Sequence, residues 1–116
     1  MASSSIWWRI GAASGAAAVL LGAFGAHGLK NRVTDVKMLK AWDTAAHYHL
    51  IHSVVLLAVP FAPQRVQARA GALLAGGMLL FSGSLYAMVL SDKRVLGAIT
   101  PIGGLGLVAG WLALLL

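Results

Sequence analysis

Two stretches of this chain, residues 70–91 and 95–116, contain no charged side chain at all. A helix needs about 20 apolar residues to cross the hydrocarbon core of a bilayer. A run this long leaves no polar face to turn toward water. Its backbone N–H and C=O groups must then be satisfied within the segment itself, and in lipid that means a helix. Two further runs, 10–27 and 44–62, are apolar apart from histidines and a few hydroxyls. The reading is therefore all-α: a four-helix transmembrane bundle with spans at about 10–27, 44–62, 70–91 and 95–116, forming a single membrane domain over 1–116. Composition agrees. Only 10% of residues are charged, against roughly a quarter in a soluble domain.

The first run has a competing reading as a cleaved signal peptide, with Arg9 ahead of it and Ala23-Phe24-Gly25 as a small-x-small site. Its continuation into a Gly-Ala-His segment suits helix packing better, so a retained span is expected. Pro60 and Pro63 close the second span, Gln64, Arg65 and Gln67 make the next turn, and Ser91-Asp92-Lys93-Arg94 is a tight polar link. The longest connection runs from Gly28 to Asp43. Leu29, Val33, Val36 and Leu39 recur there every three or four residues among Lys30, Arg32, Lys37 and Lys40. That spacing predicts a short interfacial helix between spans 1 and 2, lying at headgroup level; a solvated basic loop is the alternative.

Nine Lys and Arg against three Asp and Glu give a net charge of +6. The basic residues sit at the ends of apolar runs, where they anchor to lipid headgroups, and no basic face with interleaved aromatics points to nucleic acid. Arg9, Arg65 and Arg69 fall on the side of the termini, whereas Lys30, Arg32, Lys37, Lys40, Lys93 and Arg94 fall on the other. By the positive-inside rule the loop side faces cytoplasm or matrix and both termini lie outside. Trp7, Trp8 and Trp111 would then share one aromatic belt and Trp42 would lie in the other, so Trp7, Trp8 and Trp42 join the four lysines and arginines of the long loop as expected headgroup contacts.

Helix association in lipid depends on close backbone approach at small residues. Gly11 and Gly15, the stripe Ser14-Ala18-Gly22-Ala26, Gly83 with Ala87, and Gly106 with Gly110 are the expected packing positions. The Gly104-x-Gly106-x-x-x-Gly110 pattern lies inside one apolar run, lacks a preceding strand, and is no dinucleotide fingerprint.

Ionisable residues within a span are costly and mark the candidate site. His49 and His52 are about 60° apart on one helical face, Tyr48 is one turn from His52, Asp43 opens the same segment, and His27 ends the antiparallel first span. His27, Asp43, Tyr48, His49 and His52 thus form a candidate polar cluster near one membrane face. Three roles compete: structural bonding between helices, a metal or haem site built on His49 and His52, and a proton relay or ion path. No nucleophile is matched with a base and an orienting group, so neither catalysis nor a bound cofactor is expected. The absence of cysteine removes thiolate chemistry.

Gly22-Ala23-Phe24-Gly25-Ala26-His27-Gly28-Leu29, Trp42-Asp43-Thr44-Ala45 with Tyr48-His49 and His52, Phe81-Ser82-Gly83-Ser84-Leu85-Tyr86, and residues 96–104 with Gly110-Trp111 together resemble one family. It comprises small membrane proteins that include transmembrane protein 256 and bacterial homologues grouped as domain of unknown function 423. The resemblance implies a multi-pass membrane protein without established activity, mitochondrial in eukaryotic members and at the plasma membrane in bacterial ones. It transfers no role to His27 or His49. The expectation is an accessory subunit, with the mitochondrial inner membrane favoured over a bacterial plasma membrane, in contact with lipid and other membrane subunits. A small oligomeric transporter or channel is the alternative, and a metal- or haem-binding membrane protein stands third.

Overall fold

The computed structural model describes residues 2–116, with side chains from Ile6 onward. Four α-helices follow one another: α1 (Ala2–Ala26), α2 (Val36–Ala58), α3 (Gln64–Ser91) and α4 (Thr100–Leu115). With the 3₁₀ turns beside them, they give four segments long and apolar enough to cross a membrane: Ile6–Asn31, Val36–Phe61, Gln64–Ser91 and Arg94–Leu115. Large apolar side chains such as Leu20, Leu79, Leu105 and Leu115 lie on the outer surface. Such a surface matches acyl chains and would be costly in water.

Sequence punctuation explains the helix ends. The Asp35 side chain caps α2 by accepting from the Lys37 N–H at 2.9 Å. Pro60 falls in the 3₁₀ turn Val59–Phe61 that follows α2, and Pro63 stands as the N-cap of α3. Gln67 is buried and ties this turn down, its amide donating to the carbonyls of Pro60 (3.1 Å) and Ala62 (2.8 Å). Asp92 ends α3 in the left-handed conformation, φ 57°, a position that Asp and Asn tolerate better than most residues. Helix α4 has 16 residues, which rise about 24 Å. The 3₁₀ stretch Arg94–Ala98 supplies the remaining depth.

The long connection is shorter than its apolar pattern suggests. A 3₁₀ turn at Leu29–Asn31 follows α1, and the residues from Val36 onward are the first turns of α2. Leu29 is buried in a cluster with Met38, Trp42 and Val89, and Val33 and Leu39 pack against it, whereas Val36 is exposed; all of the pattern but Val36 therefore reflects packing onto the bundle. Lys30, Arg32, Lys37 and Lys40 are exposed, as headgroup contact requires.

Helix α2 packs closely against α1 and α3, and α4 packs closely against α3. Small residues permit this. A Cβ on Gly11 would meet the Ser53 carbonyl oxygen at 2.8 Å, and one on Gly77 would meet the Leu107 nitrogen at 2.7 Å. Gly106 approaches the Gly77 Cα, Gly110 fits against Leu74, and Gly103 lies against the α3 backbone at Leu80 and Phe81. Gly11, Gly77, Gly103, Gly106 and Gly110 are thus the glycines at which neighbouring helices come close. Gly15 and Gly22 are in looser contact with Ser53 and Ala46.

The outcome differs at Gly83, where an added Cβ would meet only Leu79 Cδ1 of its own helix at 3.9 Å. Within this chain Gly83 therefore meets no neighbouring helix.

The close approach predicts opposite effects at adjacent glycines. Gly77→Ala should destabilise by about 1–3 kcal/mol through overpacking, whereas Gly76→Ala, with nothing within 4 Å, should stabilise α3 by up to ~1 kcal/mol. Denaturant titration in detergent, followed by circular dichroism, reads both.

Candidate functional site

The polar side chains of α2 point to three different neighbours. His52 is buried, its Nδ1 lies 2.7 Å from the Tyr48 carbonyl, and its Nε2 lies 3.0 Å from Trp111 Nε1 on α4. A carbonyl only accepts and an indole N–H only donates. Both partners therefore require the neutral tautomer with hydrogen on Nδ1. His52 is a bridge from α2 to α4, flanked by the stacked Tyr48 ring at 5.9 Å.

His49 faces the other way. Its Nδ1 is 3.0 Å from the Tyr86 hydroxyl of α3, and its Nε2 is 3.0 Å from Ser14 Oγ of α1. Ser14 lies 2.6 Å from Ser53 Oγ, which in turn donates to the His49 carbonyl at 2.7 Å. One assignment of protons satisfies every contact. Tyr86 O–H donates to Nδ1, Nε2–H to Ser14, Ser14 to Ser53, and Ser53 to the backbone. The reverse order, from Ser53 through Ser14 to Nε2 and from Nδ1–H to Tyr86, pairs both ring nitrogens only by taking the single Ser53 proton away from the His49 carbonyl, so the first order is the one that fits. Met78 Sδ, 3.4 Å from Ser14, is a weak further acceptor.

Beside this chain a half-open cavity of about 300 Å³ separates α1 from α3. Ser14, His49, Met78, Ser82, Gly83 and Tyr86 are among the residues that line it, with Leu21 and Leu79. Leu79 is 71% exposed, so the opening lies on the outer surface within the span. Ser82 donates to the Ala45 carbonyl at 2.7 Å. Ser84 and Thr100, 2.6 Å apart, join α3 to α4.

The expected cluster is thus divided. His27 and Asp43 are exposed and make no side-chain hydrogen bond or ion pair among the described residues. They do not join the histidines, because His27 lies in the exposed turn just after α1 and Asp43 stands on an exposed face of α2, six residues before His49. His49 and His52 address different helices, although one face was expected for both. Among the described residues no three or more His, Cys, Asp or Glu converge as a metal set would. Ser14, Ser53, Tyr86 and Trp111 complete the network. Ser53 lies one turn from His49, a spacing visible in the sequence, but pairing across helices is not.

Two tryptophans also differ from expectation. Trp42 is only 1% exposed, its indole donates to the Leu21 carbonyl at 2.8 Å, and its ring lies against Gly25 and 4.7 Å from that of Tyr86. It is a packing element between α1, α2 and α3 and not a headgroup contact. Trp7 is half-buried against Gly71, with its Nε1 buried and unpartnered among the described residues. Trp8 remains 52% exposed, as the belt requires.

At the loop face Arg94 pairs with Asp35 at 2.7 Å, and its guanidinium holds the Asp35 carboxyl below the usual 3.8, helped by the Lys37 N–H.

Apolar spans, polar groups paired between helices and exposed basic loops define a small multi-pass α-helical membrane protein. Comparison with known sequences makes this specific. Residues 21–104 match the family described as protein of unknown function (DUF423). A UPF0382 membrane protein of Schizosaccharomyces pombe is 43% identical over 93% of this chain and 97% of its own length. A second, from Bacillus subtilis, is 41% identical over 89% and 87%, and a third, from Haemophilus influenzae, is 41% identical over 89% and 85%. The chain belongs to this DUF423/UPF0382 family of membrane proteins. No solved structure matches it.

Two measurements check the site. Trp111→Phe should cost about 1–2 kcal/mol by leaving His52 Nε2 unpaired, and in an His52→Phe background the same change should cost much less; a double-mutant cycle in detergent reads the coupling. Because the folded Asp35 carboxyl titrates below 3.8, its support of the loop is complete above that pH and is lost as pH falls through the lower folded value. Hydrogen-exchange protection at residues 29–38, taken relative to the intrinsic rate at each pH, should fall on acidification through that range, and Asp35→Asn should remove the acid-dependent step.

Proposed function

We propose that the protein is a non-catalytic accessory subunit of a larger membrane complex, acting by packing against partner helices and lipid. The observation that carries this reading is the use of its in-membrane polar groups. His49, His52, Ser14, Ser53, Ser82 and Ser84 are bonded within the chain, so their chemistry is spent on internal architecture. What faces outward is contact surface. Helix α1 exposes Ala12, Ala13, Ala16 and Ala23, which lets another helix approach closely. The exposed lysines and arginines of the loop suit anionic headgroups.

The mitochondrial inner membrane is the favoured site and a bacterial plasma membrane the alternative, with both termini on the outer side by the positive-inside count. Relatives in fission yeast and in bacteria are compatible with either.

A second reading, a small oligomeric transporter or proton channel, draws support from the continuous Tyr86–His49–Ser14–Ser53 chain of hydrogen bonds. It requires a flux in reconstituted vesicles that His49→Ala abolishes while the protein stays folded.

For the preferred reading, purification in mild detergent followed by native gel and mass spectrometry should show the chain within a larger assembly at fixed stoichiometry. Migration as a lone monomer would overturn it.

A further inference from the structure

We propose that the outward face of α2 is the interface between two parallel copies of this chain, joined by Asp43 of each copy to His47 of the other. Val36, Lys40, Asp43, His47, Leu50 and Val54 are all exposed. They recur at alternating spacings of four and three, which places them in one stripe along the helix, the seam pattern of paired helices. Its ends are apolar, and its middle is Lys40, Asp43 and His47. None of these three side chains makes a hydrogen bond or ion pair within the described residues.

Depth makes this exposure costly. Tyr48 follows His47, and its ring lies 4.7 Å from that of Phe81 on α3. Phe81 is eleven residues from Asp92 and twelve from Arg69, the charges that bound the apolar run of α3. At about 1.5 Å per residue these are roughly 17 and 18 Å. His47 is therefore near the middle of the bilayer, and Asp43 lies one turn closer to the loop face. Polar residues at such depths turn toward protein or a water-filled cavity and find partners there. Within a single copy, His47 and Asp43 face acyl chains.

Charge complementarity selects a second copy as the cover. The Asp43 carboxylate accepts, whereas the His47 and Lys40 N–H groups donate, so the face contains both halves of its own complement. In a two-fold pair, any contact from one residue to another is repeated in the opposite sense. Asp43 is about 6 Å along the axis from His47, the separation at which side chains one turn apart meet. Two identical Asp43–His47 hydrogen bonds then close the seam. Lys40, on the loop side of Asp43, supplies each copy with a compensating positive charge. A partner of different sequence would have to bring a matching acid and base, whereas a second copy brings both by symmetry. The pairing does not depend on the accessory-subunit reading, since the pair forms whether or not a larger assembly contains it.

The chain has no cysteine, so single cysteines report contacts cleanly. In native membranes treated with copper phenanthroline, Leu50→Cys and Val54→Cys should each give a disulfide-linked band at twice the 12.0 kDa chain mass. Leu20→Cys and Leu105→Cys, exposed on α1 and α4, should not. In the Leu50→Cys background, His47→Leu or Asp43→Ala should lower the dimerisation constant about five- to tenfold, the worth of two interhelical hydrogen bonds in a membrane. Differently tagged copies, one with Asp43→Ala and the other with His47→Leu, retain one of the two bonds. They should cross-link with each other more than either does with itself. Dimer yields no higher at Leu50 and Val54 than at Leu20 and Leu105 would overturn the proposal. So would cross-links only to a different protein, yields that both polar substitutions leave unchanged, or a mixed pair no better than the variants alone.

Discussion

Helix α2 carries the polar contacts on which the bundle depends. In lipid, apolar side chains gain little by touching one another instead of acyl chains, so hydrophobic burial does not specify which helices pair. Directional bonds and close backbone contact must do so. From α2, Ser53 reaches α1, His49 reaches both α1 and α3, the Ala45 carbonyl receives Ser82 of α3, and His52 receives Trp111 of α4. One helix thus holds contacts to the other three.

The two buried histidines divide labour by the chemistry of their partners. His52 is fixed between an obligate acceptor and an obligate donor, which leaves one tautomer and no freedom. His49 sits between two hydroxyls, each able to give or take a proton. The same side chain is a two-point strut in one place and part of a longer hydroxyl chain in the other. His49 borders a cavity, whereas His52 is packed beneath the Tyr48 and Trp111 rings.

Glycine likewise has two uses. Between α3 and α4, Gly77, Gly103 and Gly106 bring backbones together, and bulk there would push the helices apart. At Gly83 no helix is near, and the space is left open. A sequence stripe such as Gly83-xxx-Ala87 cannot distinguish these cases, because spacing reports the face of a helix and not what lies opposite it.

The four spans, the helix-ending prolines, the exposed basic loop residues and the family resemblance were legible in the sequence, because bilayer thickness and backbone satisfaction act on each segment by itself. The grouping of His27, Asp43, Tyr48, His49 and His52 was only partly so. Sequence spacing placed His49 and His52 within 60° on one helix, yet that angle was enough to send them to different neighbours. Trp42 looked like a belt residue by its position at the end of a run, and only the early start of α2 brought it against Gly25 and the Leu21 carbonyl. Local chemistry therefore determined what crosses the membrane and where each helix stops. Which polar groups meet, and where a cavity remains, was decided by the rotation and approach of whole helices, a property that no single segment contains.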